Sequence, residues 1–88
     1  MDREIRLDVS ALAAPEPLER VLEALETLQP GQYVRMLHRR EPFPLYGMLT
    51  EDGFLYLTRP GQSAAYEIFI WHREDPEAEA AVGNLVED

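Results

Sequence analysis

The sequence predicts an α+β two-layer sandwich in the order β-α-β-α-β-β, a four-stranded mixed sheet with two helices on one face. Three observations carry that prediction. Four short runs rich in β-branched, aromatic and aliphatic residues are present, and a helix-period apolar stripe separates the first two. A second, proline-opened apolar segment separates the second run from the third. The last two runs are joined by a turn-rich loop, which makes them a hairpin. A strand-helix-strand unit closes as a right-handed parallel crossover, which sets its helix on one face of the sheet, and the second helix joins it there.

The first strand lies in "REIRLDV", where Ile5, Leu7 and Val9 alternate with Arg6 and Asp8. The first helix follows, with Leu18, Val21, Leu22, Leu25 and Leu28 at i, i+3, i+4, i+7 and i+10. Pro15 suits its first turn, where a missing N–H costs nothing, and Glu16 and Glu19 favour the positive end of the helix dipole. "QPGQ" (29–32) stops it. "YVRMLH" (33–38) is the second strand. In "REPFPLYGMLTEDG", Pro42 and Pro44 suit a loop and a helix start, and Leu45, Met48 and Leu49 have helical spacing. "FLYLTR" (54–59) and "YEIFIWH" (66–72) are the hairpin strands, joined through "PGQSA".

Residues 1–72 thus form one domain, and residues 73–88 read as an acidic C-terminal tail. Ala78, Val82, Leu85 and Val86 would share a helical face, so a short docked helix is the alternative, weakened by Gly83. Strand alternation sends Ile5, Leu7, Val9, Val34, Met36, Leu55, Leu57, Ile68 and Ile70 toward the helices. It sends Tyr33, Leu37, Phe54, Tyr56, Phe69 and Trp71 to the open face. So aromatic a patch is rarely left in water. The expected cover is a partner protein or a second copy of the chain, ahead of the tail.

Composition narrows the function. At 88 residues the chain buries roughly 60–65% of its unfolded surface, enough for one core and little for a deep pocket. It has no cysteine, which excludes disulfides, thiolate nucleophiles, persulfides and cysteine-held metals. The net charge of −9 divides into −4 over residues 1–72 and −5 over 73–88. Such acidity argues against nucleic acid as a partner. No run is apolar and long enough for a signal sequence or a membrane span, so the expected location is cytoplasmic.

The chain order, with "APEPLERVLEAL" after the first strand and "LQPG" before the second, resembles the TusA/SirA-like small sulfur-carrier fold. In those carriers the turn reads Cys-Pro-x-Pro and the cysteine holds a persulfide. Here Ala14 stands in the cysteine's place, while Pro15, Glu16 and Pro17 match. "LDVS", "PEPLERVL" and "HRREPFPLY" (38–46) are similar to a cysteine-less branch, the domain-of-unknown-function family numbered 2249. The resemblance implies the TusA-like fold without sulfur transfer. It also implies a setting near respiratory or nitrogen-oxide functions.

The resemblance implies that the first three strands run parallel and the fourth against them. His38 and His72 then fall at opposite ends of the sheet and cannot share a metal ion. His38 with Glu41 is a poor metal site by itself, so no metal and no cofactor is expected. Carboxylate pairs such as Glu51-Asp52 lie in turns, and no catalytic residue and no enzyme activity is expected. One end of the sheet gathers the candidate ligand site, for an anion: Pro15 and Glu16 at the helix start, His38, Arg39 and Arg40 after the second strand, and Arg59 at the end of the third. Open α/β sheets favour ligands at this carboxyl edge, and affinity would rise as His38 charges near pH 6.5. Solvated ion pairs of Arg39 and Arg40 with Glu16, Glu19 or Glu41 are the alternative. The open face (Tyr33, Phe54, Tyr56, Phe69, Trp71) is the candidate interface for a protein partner or self-association. The expected function is a non-catalytic binding or adaptor domain. The alternative is an accessory of sulfur or nitrogen-oxide metabolism that holds a small anion without covalent attachment.

Overall fold

The alternation at Ile5 and Leu7 forms β1 (Glu4–Asp8), paired in parallel with β2 (Tyr33–His38), Ile5 opposite Val34 and Leu7 opposite Met36. The structure is a computed structural model and describes residues 2–86. Between these strands runs α1 (Glu16–Glu26), and α2 (Phe43–Glu51) leads from β2 to β3 (Phe54–Pro60). β4 (Tyr66–His72) then inserts between β2 and β3, antiparallel to both, giving the strand order β1-β2-β4-β3. The result is a small α+β fold with an open mixed sheet, β1 and β3 at its edges, and three helices.

One face of the sheet carries the main core. Val34, Met36, Ile68 and Ile70 lie there fully buried under Val21 and Leu25 of α1 and Leu45 and Leu49 of α2. Each such side chain contributes on the order of 1.5–3 kcal/mol by leaving water. Leu45 and Leu49 face the sheet as their spacing requires, whereas Met48 turns outward. The α2 end is fixed by Arg73, whose guanidinium donates to the Thr50 carbonyl at 3.2 Å and whose N–H donates to the Gly53 carbonyl at 2.9 Å.

The segment read as an acidic tail instead forms α3 (Pro76–Val86), with residues 87 and 88 outside the described residues. Ala78 and Val82 are buried against Tyr33, Phe69 and Trp71, on the face opposite α1 and α2. Those three aromatics are therefore covered from within the chain, not left for a partner. The acids that argued for solvation start the helix instead. Asp75 accepts the Ala78 N–H at 3.0 Å as its cap, and its other oxygen accepts the Gly31 N–H at 2.7 Å. These amide hydrogen bonds hold the Asp75 carboxyl below its ordinary 3.8. Gly31 sits at φ +84°, a left-handed turn that glycine takes without cost.

The phase of β3 also differs from the expectation. Tyr56 lies opposite Ile70, and Leu57 lies opposite Phe69. Cross-strand partners share a face, so Leu55 and Leu57 join Phe69 and Trp71 beneath α3. Phe54 packs in the main core, and Tyr56 stacks on Tyr46 of α2 at 4.2 Å between ring centroids. Neither belongs to the α3 face. Consecutive apolar residues at 54–57 leave the phase of this strand open until β4 fixes it.

Candidate functional site

β1, β2 and β3 point the same way, so their carboxyl ends gather the residues expected to bind an anion. The start of α1 has few donors to offer. Pro15 and Pro17 carry no N–H, the Glu16 N–H donates to the Ala13 carbonyl at 3.0 Å, and the Glu19 N–H donates to the Pro15 carbonyl at 3.2 Å. Glu16 adds a carboxylate of its own, 3.9 Å from Arg20. The proline-glutamate-proline opening thus weakens the amide cradle that a helix start otherwise presents.

Arg59 is likewise engaged elsewhere. Its Nε donates to Glu67 at 3.3 Å on the α3 face of the sheet. Glu67 is 3% exposed. It also takes the Arg35 Nε hydrogen bond at 2.6 Å together with the second Arg35 nitrogen, and Arg35 reaches Glu4 at 3.5 Å. The network Glu4, Arg35, Glu67, Arg59 therefore ties all four strands together side by side. Both guanidinium carbons lie over the Phe69 ring, at 5.6 and 5.1 Å from its centroid. Burial, aided by the Glu4 carboxylate that accepts its hydroxyl at 3.0 Å, pushes the Tyr33 pKa up to about 12. Sequence reading missed this network. Its signal is two opposite charges, Arg35 and Glu67, in the middle of otherwise apolar strands.

What remains at the carboxyl end is the loop after β2. Arg39 and Arg40 are exposed, and among the described residues neither has a carboxylate within 4 Å. The expected carboxylate partners are not in place: Glu41 accepts the Tyr46 hydroxyl at 3.1 Å, and Glu16 faces Arg20. Three residues beyond Arg40, Phe43 is 67% exposed and meets Tyr46 edge-on at 6.0 Å. His38 is 8% exposed, its Nδ1 buried without a hydrogen-bond partner. Burial first, then the charges of Arg39 and Arg40, hold its pKa below 6.5. Any charge it gains therefore comes at lower pH than the sequence suggested.

His72 lies at the other end of the sheet, stacked on Phe54 at 4.5 Å, and borders a cleft of about 620 Å³ with Leu28, Asp52 and Glu74. Among the described residues no group of three or more histidines and carboxylates is placed to hold a metal, and no helix is long and apolar enough to cross a membrane.

The fold and this surface define a small α+β domain with an exposed arginine pair and an aromatic neighbour at one end of an open mixed sheet. The chain belongs to the uncharacterized conserved protein family DUF2249, whose model it matches over residues 6–72. No curated protein and no solved structure matches it.

Proposed function

We propose that this chain is a cytoplasmic, non-catalytic binding domain, a TusA-like carrier scaffold without its nucleophile, and that it engages an acidic protein segment at the loop between β2 and α2. The observation that carries this reading is the pair Arg39 and Arg40, exposed side by side with no carboxylate within 4 Å among the described residues. On this chain Arg3, Arg20, Arg35 and Arg59 face carboxylates and Arg73 caps a helix. Arg6 on the edge strand β1 is exposed and has no carboxylate within 4 Å among the described residues either. It stands singly between Glu4 and Asp8, so Arg39 and Arg40 alone form an unpaired doublet. Two adjacent guanidiniums suit a run of carboxylates by charge and by forked geometry. Phe43 beside them offers an apolar contact that a free inorganic ion cannot use. The rest of the acidic surface acts only over about 8–10 Å at physiological salt, so it does not cancel a local basic site.

The carrier scaffold is supported by the parallel β1–α1–β2 unit opening on Pro-Glu-Pro, with Ala14 where the carriers have cysteine. A titration tests the binding reading: a fluorescent peptide of glutamates flanking one phenylalanine, followed by anisotropy. Saturable binding is expected, weakened by salt and weakened about tenfold by Arg39→Ala/Arg40→Ala, as for loss of two solvent-exposed ion pairs worth up to about 1 kcal/mol each. Phe43→Ser should weaken it as well. Binding of phosphate or sulfate that ignores Phe43 would replace this reading by the small-anion one. No saturation up to about 1 mM peptide, the weak end of recognition, overturns it.

A further inference from the structure

We propose that the free edge of β3 pairs with the β3 edge of a second copy of this chain, antiparallel about a two-fold axis near Tyr56, so that one sheet continues through both copies. The two edges of the sheet are unlike. β1 carries a charge at every second residue, Glu4, Arg6 and Asp8, which is a common protection against strand addition. β3 reads Phe-Leu-Tyr-Leu-Thr from 54 to 58, with no charge and no proline before Arg59 and Pro60. It is bonded to β4 alone, so a row of backbone N–H and C=O groups faces outward. Tyr56, 38% exposed, stands beside that row with its ring flat on Tyr46.

The occupant follows from the ends of the strand. Antiparallel self-pairing about Tyr56 sets Leu57 of one copy against Leu55 of the other. It also sets Arg59, whose Nε is held by Glu67 while a third of its side chain stays exposed, against Gly53, next to Asp52, so opposite charges approach at both ends of the shared ladder. The contact uses the same patch on both copies and closes at two, giving a dimer and not a fibre. Because each copy carries −9 while the shared edge is neutral over 54–58, salt should strengthen the dimer. Salt has the opposite effect on the peptide binding proposed above.

Sedimentation equilibrium over a range of concentrations tests this. A monomer–dimer equilibrium is expected, and Tyr56→Lys should weaken it about tenfold or more, because a charge on the shared edge must be desolvated. The chain has no cysteine, so a single introduced one reports its own neighbourhood cleanly. Mild oxidation of Tyr56→Cys should give a disulfide dimer, since a residue at the axis meets its own copy with the Cβ atoms within bonding range. Glu23→Cys, on the exposed side of α1, should not. The cross-link decides the matter even where Tyr56→Lys fails to fold. A monomer at every concentration overturns the inference, as does a dimer that neither cross-links at 56 nor responds to Tyr56→Lys. Arg39→Ala/Arg40→Ala should stay dimeric, and a wild-type dimer that fails to bind the peptide counts against the binding reading alone.

Discussion

Glu67 shows how one residue can hold a small sheet in register. Its carboxylate is buried between two guanidiniums from strands on either side of β4. Removing one member of a buried pair costs about 3–5 kcal/mol, because the partner charge stays behind. Here both arginines keep partial access to water, which lowers the expected cost of Glu67→Ala to roughly 2–3 kcal/mol. Urea unfolding should show that loss, and a change under about 0.5 kcal/mol, the size of an ordinary surface effect, would mean that the network is ornamental. His38 acts in the opposite sense. Its folded pKa lies below 6.5, so the unfolded chain takes up the proton first as the medium is acidified. Stability should therefore fall as pH drops below about 6.5, and should level off once the folded histidine titrates too. The Asp75 contribution is lost only lower, as pH falls from 3.8 through its depressed folded value. Chemical unfolding as a function of pH should show the upper step in the wild type and lose it in His38→Gln.

At the scale of elements, α3 is the piece whose sequence signals conflict. Gly83 lowers helix propensity, and an added Cβ there meets nothing within 4 Å. Gly83→Ala should then raise stability by about 0.5–1 kcal/mol, read as a higher urea midpoint with an unchanged slope. An unchanged midpoint would mean that α3 is not folded in solution. β1 and α1 were legible because their apolar residues keep one period throughout, as Ile5 and Leu7 or Val21 and Leu25 do. The extent of β3 was legible but its phase was not, since Phe54 to Leu57 are all apolar and either phase buries two large residues. The α3 segment was not legible either: its cap, Asp75, and its buried face, Ala78 and Val82, are spaced correctly but diluted among acids. Their value appears only when Tyr33, Phe69 and Trp71 come together to receive them. The candidate site was legible in part. Arg39 and Arg40 stand where the topology put them, but Arg59 turned to a buried acid that lies on the same strand face and invites a partner.

For the molecule as a whole, charge is arranged against its average. The chain carries −9, yet an arginine doublet with no carboxylate within 4 Å among the described residues stands at the carboxyl end of the sheet. Asp52, Glu74 and Asp75 line the cleft by His72 at the other end. The two ends are therefore electrostatically distinct, and a partner can tell them apart before contact. The proposed function rests on that polarity. Amide NMR spectra of the labelled protein, titrated with the glutamate peptide, test it most directly. Saturating shifts centred on residues 38–43 are expected, with little change at Asp52, His72 and Glu74 around the cleft. Shifts centred on that cleft, or none anywhere, would contradict it.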